Sequence, residues 1–167
     1  MGNNDEQQLE FPGIWAINEP NRVAVLMAGS GEKMTYLELD EKSNRISNLF
    51  VDLGLQPGDH IAFCLENTIE FLPLAWGAHY AGLYYTAISS RLTEEEMGYI
   101  IKDCGARVFV TSMGNRDTTE RIDFMDTSVK EKFVIGGEME GYGSFEDAIK
   151  SSSKEPQLDR VEGQDML

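Results

Sequence analysis

The chain has 167 residues, 41% of them hydrophobic, with 14 Lys and Arg against 29 Asp and Glu and a net charge of −15 at pH 7. A chain of this size and apolar content closes around a full core, which excludes an intrinsically disordered segment and makes a stabilising disulfide or metal unnecessary. The acidic balance, with no basic cluster against it, excludes nucleic acid as a general partner and argues against anionic membrane surfaces.

Residues 1–20 read as an irregular arm, polar at first and broken by Pro12 and Pro20, with Phe11, Ile14 and Trp15 able to pack on a neighbouring surface. Residues 21–167 read as one α/β unit. Val23-Ala-Val-Leu-Met27 is a short strand, and the turn residues Ala28-Gly-Ser-Gly-Glu-Lys33 fold it back as a hairpin. Thr35 and Glu38 have the spacing of a capping box, so a helix starts there and runs along Leu39, Ile46, Leu49, Phe50 and Leu53 to a stop at Gly54.

Gln56-Pro-Gly-Asp59 is a turn, and His60-Ile-Ala-Phe-Cys-Leu65 is apolar enough for a strand covered on both faces. Asn67 is the expected cap of a second helix through Phe71, Leu74, Ala75, Ala78 and Ala81, whose small residues permit close packing on a sheet. Gly82 ends it. Leu83–Ile88 is the next strand, and Thr93 with Glu96 forms a second capping box for a helix carrying Met97, Ile100, Ile101 and Cys104. Strands at Arg107–Thr111 and Phe133–Ile135 and a short helix at Ser144–Ile149 follow, and the polar stretch Asn115–Val129 stays without assignment. Strands alternating with helices imply parallel pairing and right-handed crossovers, hence a layered open α/β sheet, mostly parallel, with helices on both faces. The strand order does not follow from the pattern.

Little in the chain announces chemistry. Gly29-Ser-Gly31 lacks the third glycine of a dinucleotide fingerprint, and Glu138 and Glu140 oppose a phosphate in the glycine-rich Gly136–Gly143 stretch, which reads as a flexible connection. Cys64 and Cys104 show no CxxC spacing and read as reduced packing residues of a cytoplasmic protein. His79 reads as a hydrogen-bonded structural histidine, and Glu94-Glu95-Glu96 as the solvated first turn of a helix. The two histidines have no metal-ligand spacing, and no apolar run is long enough to span a membrane. Arg91 stands apart: it follows a strand's carboxyl end, where open α/β sheets bind ligands, and its guanidinium suits phosphate or carboxylate.

Met34-Thr-Tyr-Leu-Glu-Leu39, Ser43-Asn-Arg45, Leu53-Gly-Leu-Gln-Pro-Gly-Asp-His-Ile-Ala62, Leu65-Glu-Asn67, Gly77-Ala78 and Arg91-Leu-Thr93, with Asp103-Cys-Gly-Ala106, occur in one order and spacing. That ordered set resembles the amino-terminal part of AMP-forming acyl-CoA synthetases, closest to the fatty-acyl and aryl-acid CoA ligases of the adenylate-forming superfamily. The resemblance is strong over residues 20–112 and weaker beyond. It implies that residues 21–167 are the amino-terminal α/β subdomain of a ligase's large domain. The implied enzyme uses ATP, Mg2+ and coenzyme A to turn a carboxylic acid into an acyl-adenylate and then a thioester.

The family's phosphate loop, magnesium motif and catalytic lysine lie further along such enzymes, and Gly163-Gln-Asp-Met-Leu167 resembles the strand leading into that loop. The expectation is therefore a chain incomplete as an enzyme, with no catalytic residue or tightly bound cofactor of its own, partnered by the remainder of the ligase. Arg91 of the Arg91-Leu92 pair corresponds to an arginine that contacts coenzyme A phosphates in some members. Ala87 and Ser89 depart from the proline and asparagine common in that loop. The resemblance also admits a homodimer contact through Phe11, Ile14 and Trp15. The competing reading is a stand-alone α/β binding or interaction domain derived from such an enzyme. A flavodoxin-like or receiver domain fits the alternation, but no acidic cluster follows a first strand.

Overall fold

The computed structural model describes residues 11–157. In chain order these form α1 (Pro12–Asn18), β1 (Val23–Leu26), β2 (Lys33–Thr35), α2 (Tyr36–Asp52), β3 (His60–Cys64), α3 (Phe71–Tyr80), β4 (Tyr84–Ala87), α4 (Glu94–Asp103), β5 (Val108–Ser112), α5 (Arg116–Thr119), β6 (Glu131–Ile135), β7 (Gly143–Ser144) and α6 (Phe145–Lys150). β1 and β2 make the expected antiparallel hairpin, closed by the Gly31 amide donating to the Met27 carbonyl at 2.8 Å. The other strands form one parallel sheet in the order β4-β3-β5-β6-β7.

The period of two along each strand divides the core between the sheet's faces. Ile61, Phe63, Val108 and Val110 pack with Ile46 and Phe50 of α2, Leu74 of α3 and Phe145 of α6. Ala62, Cys64 and Phe109 pack instead with Met97 and Ile101 of α4 and with Ile122. Helices thus cover both faces of a mostly parallel open sheet, as the alternating pattern predicts.

Both capping boxes form. Thr35 Oγ1 accepts from the Glu38 amide at 3.2 Å while the Glu38 carboxylate accepts from the Thr35 amide at 2.7 Å, and Thr93 with Glu96 repeats the arrangement at 3.3 and 2.9 Å.

Two local expectations are corrected, the cap at Asn67 and the irregular arm. Asn67 caps nothing: α3 begins at Phe71, with Glu70 before it and no side-chain cap. Pro73 sets that start, because its ring would clash with the carbonyl four residues earlier in any helix begun nearer Asn67. Within the supposedly irregular arm, Pro12–Asn18 is a helix with proline in its first turn. Phe11 meets Tyr80 edge-on at 6.2 Å and Trp15 meets Tyr36 at 5.9 Å, so both are engaged within this chain. The unassigned polar stretch contains α5 and then sends Ile122, Phe124 and Val129 into the core beneath α4. The glycine-rich connection is mostly exposed, with Met139 buried within it and the Gly136 amide donating to the Glu146 carboxylate at 2.7 Å. Residues 163–167, matched above to the strand leading into the phosphate loop, lie outside the described residues.

Candidate functional site

β3 and β5 are neighbours in the sheet, yet the chain leaves them in opposite directions, to α3 on one face and to α5 on the other. Loops that diverge in this way open a crevice at the carboxyl ends of the strands, the place where doubly wound sheets receive ligands. At that place the chain carries Glu66 and Asn67 after β3, and Ser112, Gly114 and Asn115 at and just beyond the end of β5.

Glu66, Ser112 and Asn115 form one hydrogen-bonded group. Asn115 Nδ2 donates to the Cys64 carbonyl at 3.1 Å, to Glu66 Oε2 at 3.1 Å and to Ser112 Oγ at 3.2 Å. Ser112 Oγ also donates to the Glu66 carboxylate, and Thr111 Oγ1 donates to the Cys64 carbonyl at 3.1 Å. Gly114 is there for space, since a Cβ on it would collide with the Glu66 carboxylate. At the start of α3, Glu70 is neutralised by Lys42 of α2 at 2.5 Å.

Arg91 lies at this end of the sheet, four residues beyond β4 and just before the capping box of α4. It is exposed, its amide donates to Ser89 Oγ at 3.3 Å, and its guanidinium has no ion-pair or hydrogen-bond partner among the described residues. It is therefore open to an anion, whereas the Glu66 carboxylate would repel one.

The remaining candidates from the sequence are placed by their contacts. His60, at the opposite end of β3, stacks on Tyr84 at 4.9 Å. His79 was expected to be hydrogen-bonded, but its contacts among the described residues are the rings of Trp76 and Tyr85, and burial lowers its pKa. Cys64 is fully buried and its thiol is pushed up to about 11, chiefly by burial and then by the Glu66 charge. That keeps it a thiol at neutral pH and unsuited to nucleophilic attack. Cys104 Sγ donates to the Ile101 carbonyl at 3.5 Å, and Glu94–Glu96 form the first turn of α4, as expected for packing and capping residues. No metal-binding group of His, Cys, Asp or Glu occurs among the described residues. Among the described residues this end of the sheet offers donors, acceptors and the exposed Arg91, without a nucleophile beside a base.

The Glu66–Ser112–Asn115 group escaped the sequence reading. Its sequence signal was there in weak form: a polar residue placed directly after an apolar strand, twice, in an alternating α/β pattern.

The fold defines a doubly wound α/β unit with a parallel five-stranded sheet. A family model described as AMP-binding enzyme matches residues 14–166, and the chain belongs to that family. It is 36% identical over 92 residues to human long-chain fatty acid transport protein 1, covering 55% of this chain and 14% of that protein. It is 35% identical over 95 residues to crotonobetaine/carnitine–CoA ligase of Escherichia coli, covering 55% and 18%. Among solved structures, the anthranilate CoA ligase AuaEII in complex with anthranoyl-AMP superposes with a TM-score of 0.78 at 25% identity, over 90% of this chain and 29% of that one. A Mycobacterium tuberculosis fatty acyl CoA synthetase gives 0.77 at 22%, over 92% and 30%. The chain thus spans less than a fifth of the length of those curated relatives.

Proposed function

We propose that this chain is the amino-terminal part of an AMP-forming acyl-CoA ligase acting on a fatty or aryl carboxylic acid. The observation that carries the reading is the family match over residues 14–166 of a chain whose relatives include a CoA ligase and a long-chain fatty acid transport protein. In the reaction so assigned, the carboxylate attacks the α-phosphate of Mg-ATP, pyrophosphate leaves, and the coenzyme A thiol then displaces AMP to give the thioester.

On this reading the chain supplies scaffold and one wall, and adenylation is carried by the remainder of the ligase. Arg91 meets a coenzyme A phosphate: its open guanidinium matches the anion in charge and in forked donor geometry. The Glu66 group borders the crevice and holds the two diverging loops together, turning negative charge away from that part of the wall. The two free cysteines support a reducing, cytoplasmic setting.

The test is made on the full-length gene product, with carboxylate-dependent ATP–pyrophosphate exchange and thioester formation measured across a panel of fatty and aryl acids. Exchange with at least one acid is expected, and none from the purified 167-residue chain. Arg91→Ala should raise the KM for coenzyme A by about tenfold, the loss of one charge-assisted contact, with the KM for ATP unchanged. A full-length product without exchange that forms a tight protein complex would overturn the ligase reading in favour of an interaction domain.

A further inference from the structure

The outer face of α4 mixes charge of both signs with exposed apolar surface. Glu95, Tyr99 and Lys102 are exposed and spaced i, i+4 and i+7, so they lie on one stripe of the helix. Tyr99 is 70% exposed, and Met125, on the segment that follows α5, is 76% exposed. Together with Glu94 and Arg121 these residues line a groove of about 420 Å³ between α4 and residues 121–127. Arg121 reaches Glu94 at 3.6 Å, and Gly98 lets α4 lie close to this segment, with the Asp123 carbonyl 3.6 Å from where a Cβ would stand.

The stripe is unpartnered. Tyr99 makes no ring contact, and neither the Glu95 carboxylate nor the Lys102 ammonium has an ion pair or hydrogen bond among the described residues. Exposed apolar side chains scattered singly are ordinary, whereas here two of the three most exposed large ones among the described residues share one groove.

Charge decides what fits. A basic partner meets Lys102 and Arg121, and an acidic one meets Glu94 and Glu95, so each is repelled at one end. A second copy of α4 laid antiparallel is attracted at both. Glu95 and Lys102 stand about 10 Å apart along the helix axis. A two-fold axis midway between them, beside Tyr99, sets Glu95 of each copy against Lys102 of the other and packs the two tyrosines at the centre.

We propose that α4 and residues 121–127 form an interface between two copies of this chain, closed by a two-fold axis next to Tyr99. The contact is separate from α1, whose Phe11 and Trp15 are engaged within the chain. The net charge of −15 opposes association at long range, so the dimer is weak, with a dissociation constant of about 10–100 μM. At about 0.15 M salt the overall charge is screened beyond about 8 Å while pairs in contact survive.

Sedimentation of the purified chain at that salt, from about 1 to about 500 μM, should show the mass rising from 18.7 kDa toward twice that value. Glu95→Lys sets lysine against lysine across the axis, and Lys102→Glu sets glutamate against glutamate, so each should weaken the dimer at least about tenfold. An equimolar mixture of the two variants restores opposite charges at both ends, as does the double substitution in one chain. Both should return to within about threefold of the original affinity, a recovery that a variant which had merely lost its fold could not give. Tyr99→Ala should weaken the dimer about tenfold with an unchanged circular dichroism spectrum.

A chain that stays monomeric throughout overturns the proposal. So does a dimer indifferent to both single substitutions, which would place the contact on another face. Weakening by each single variant without recovery in the mixture overturns the antiparallel arrangement. The full-length gene product should repeat the series, and a monomer there overturns the interface as a property of the whole protein.

Discussion

Asp59 shows how one residue ties together two segments, the turn at 54–59 and the start of β5, at the amino ends of the strands. Its carboxylate accepts from the Gln56 amide at 2.8 Å and pairs with Arg107, which also reaches the Gly54 carbonyl at 3.4 Å. The Gln56 bond first, and the guanidinium after it, lower the Asp59 pKa. A depressed carboxylate contributes stability that is present above the unfolded value of about 3.9 and is lost as pH falls through the folded value. Because the pair is partly exposed, with side chains at 35% and 27%, Asp59→Asn should cost only about 0.5–1 kcal/mol at neutral pH. Urea titrations of both proteins should converge on acidification; a gap that persists in acid would mean the charge is not its source. The turn at Gln56–Asp59 and both capping boxes were legible in the sequence because their partners lie three residues apart. Glu66 and Ser112, separated by 46 residues, could be paired only once β3 and β5 were known to be neighbours.

Between elements, α2 and α3 approach closely at Gly77. A Cβ there would fall 2.5 Å from Ile46 Cγ2 and 3.1 Å from the Ser43 carbonyl, and neither the helix backbone nor a fully buried isoleucine can give way easily. Gly77→Ala should destabilise by about 1–3 kcal/mol through overpacking, despite its better helix propensity. Gly29→Ala, where nothing lies within 4 Å, should stay within about 0.5 kcal/mol. Urea midpoints at unchanged slope separate the two, and equal midpoints would refute the close approach. The sequence shows that α3 is rich in small residues. It does not show that Gly77 is cut to fit α2 while Leu74 and Ala78 join the sheet-side core, because that depends on the rotation of the helix. Asn67 misleads for a related reason: a good cap residue is overridden by Pro73, which limits where the first turn can begin.

At the scale of the molecule, the alternation of strands and helices predicts layers, parallel pairing and coverage of both faces, but not the order β4-β3-β5-β6-β7, which depends on contacts between distant segments. The same limit hides the role of α1. Read locally, residues 1–20 are polar and proline-broken; in the fold, Pro12, Gly13 and Ala16 are buried. Phe11 and Trp15 line a cleft of about 250 Å³ with Tyr36, Leu39, Leu72 and Trp76. Arg22 stands over the Trp15 ring at 4.8 Å and ties the helix to the start of the hairpin. If α1 is part of the folded body, deleting residues 1–18 should lower stability by about 2–4 kcal/mol, the order expected for losing one buried aromatic cluster. The chain has two tryptophans, so the deletion leaves Trp76 as sole emitter, and Trp15→Phe supplies the matching single-emitter protein with α1 in place. Trp76 emission should lie to the red in the deletion relative to Trp15→Phe, because the cleft then opens to water. An equal emission maximum together with an equal urea midpoint would show that α1 rides on the surface without holding the subdomain together.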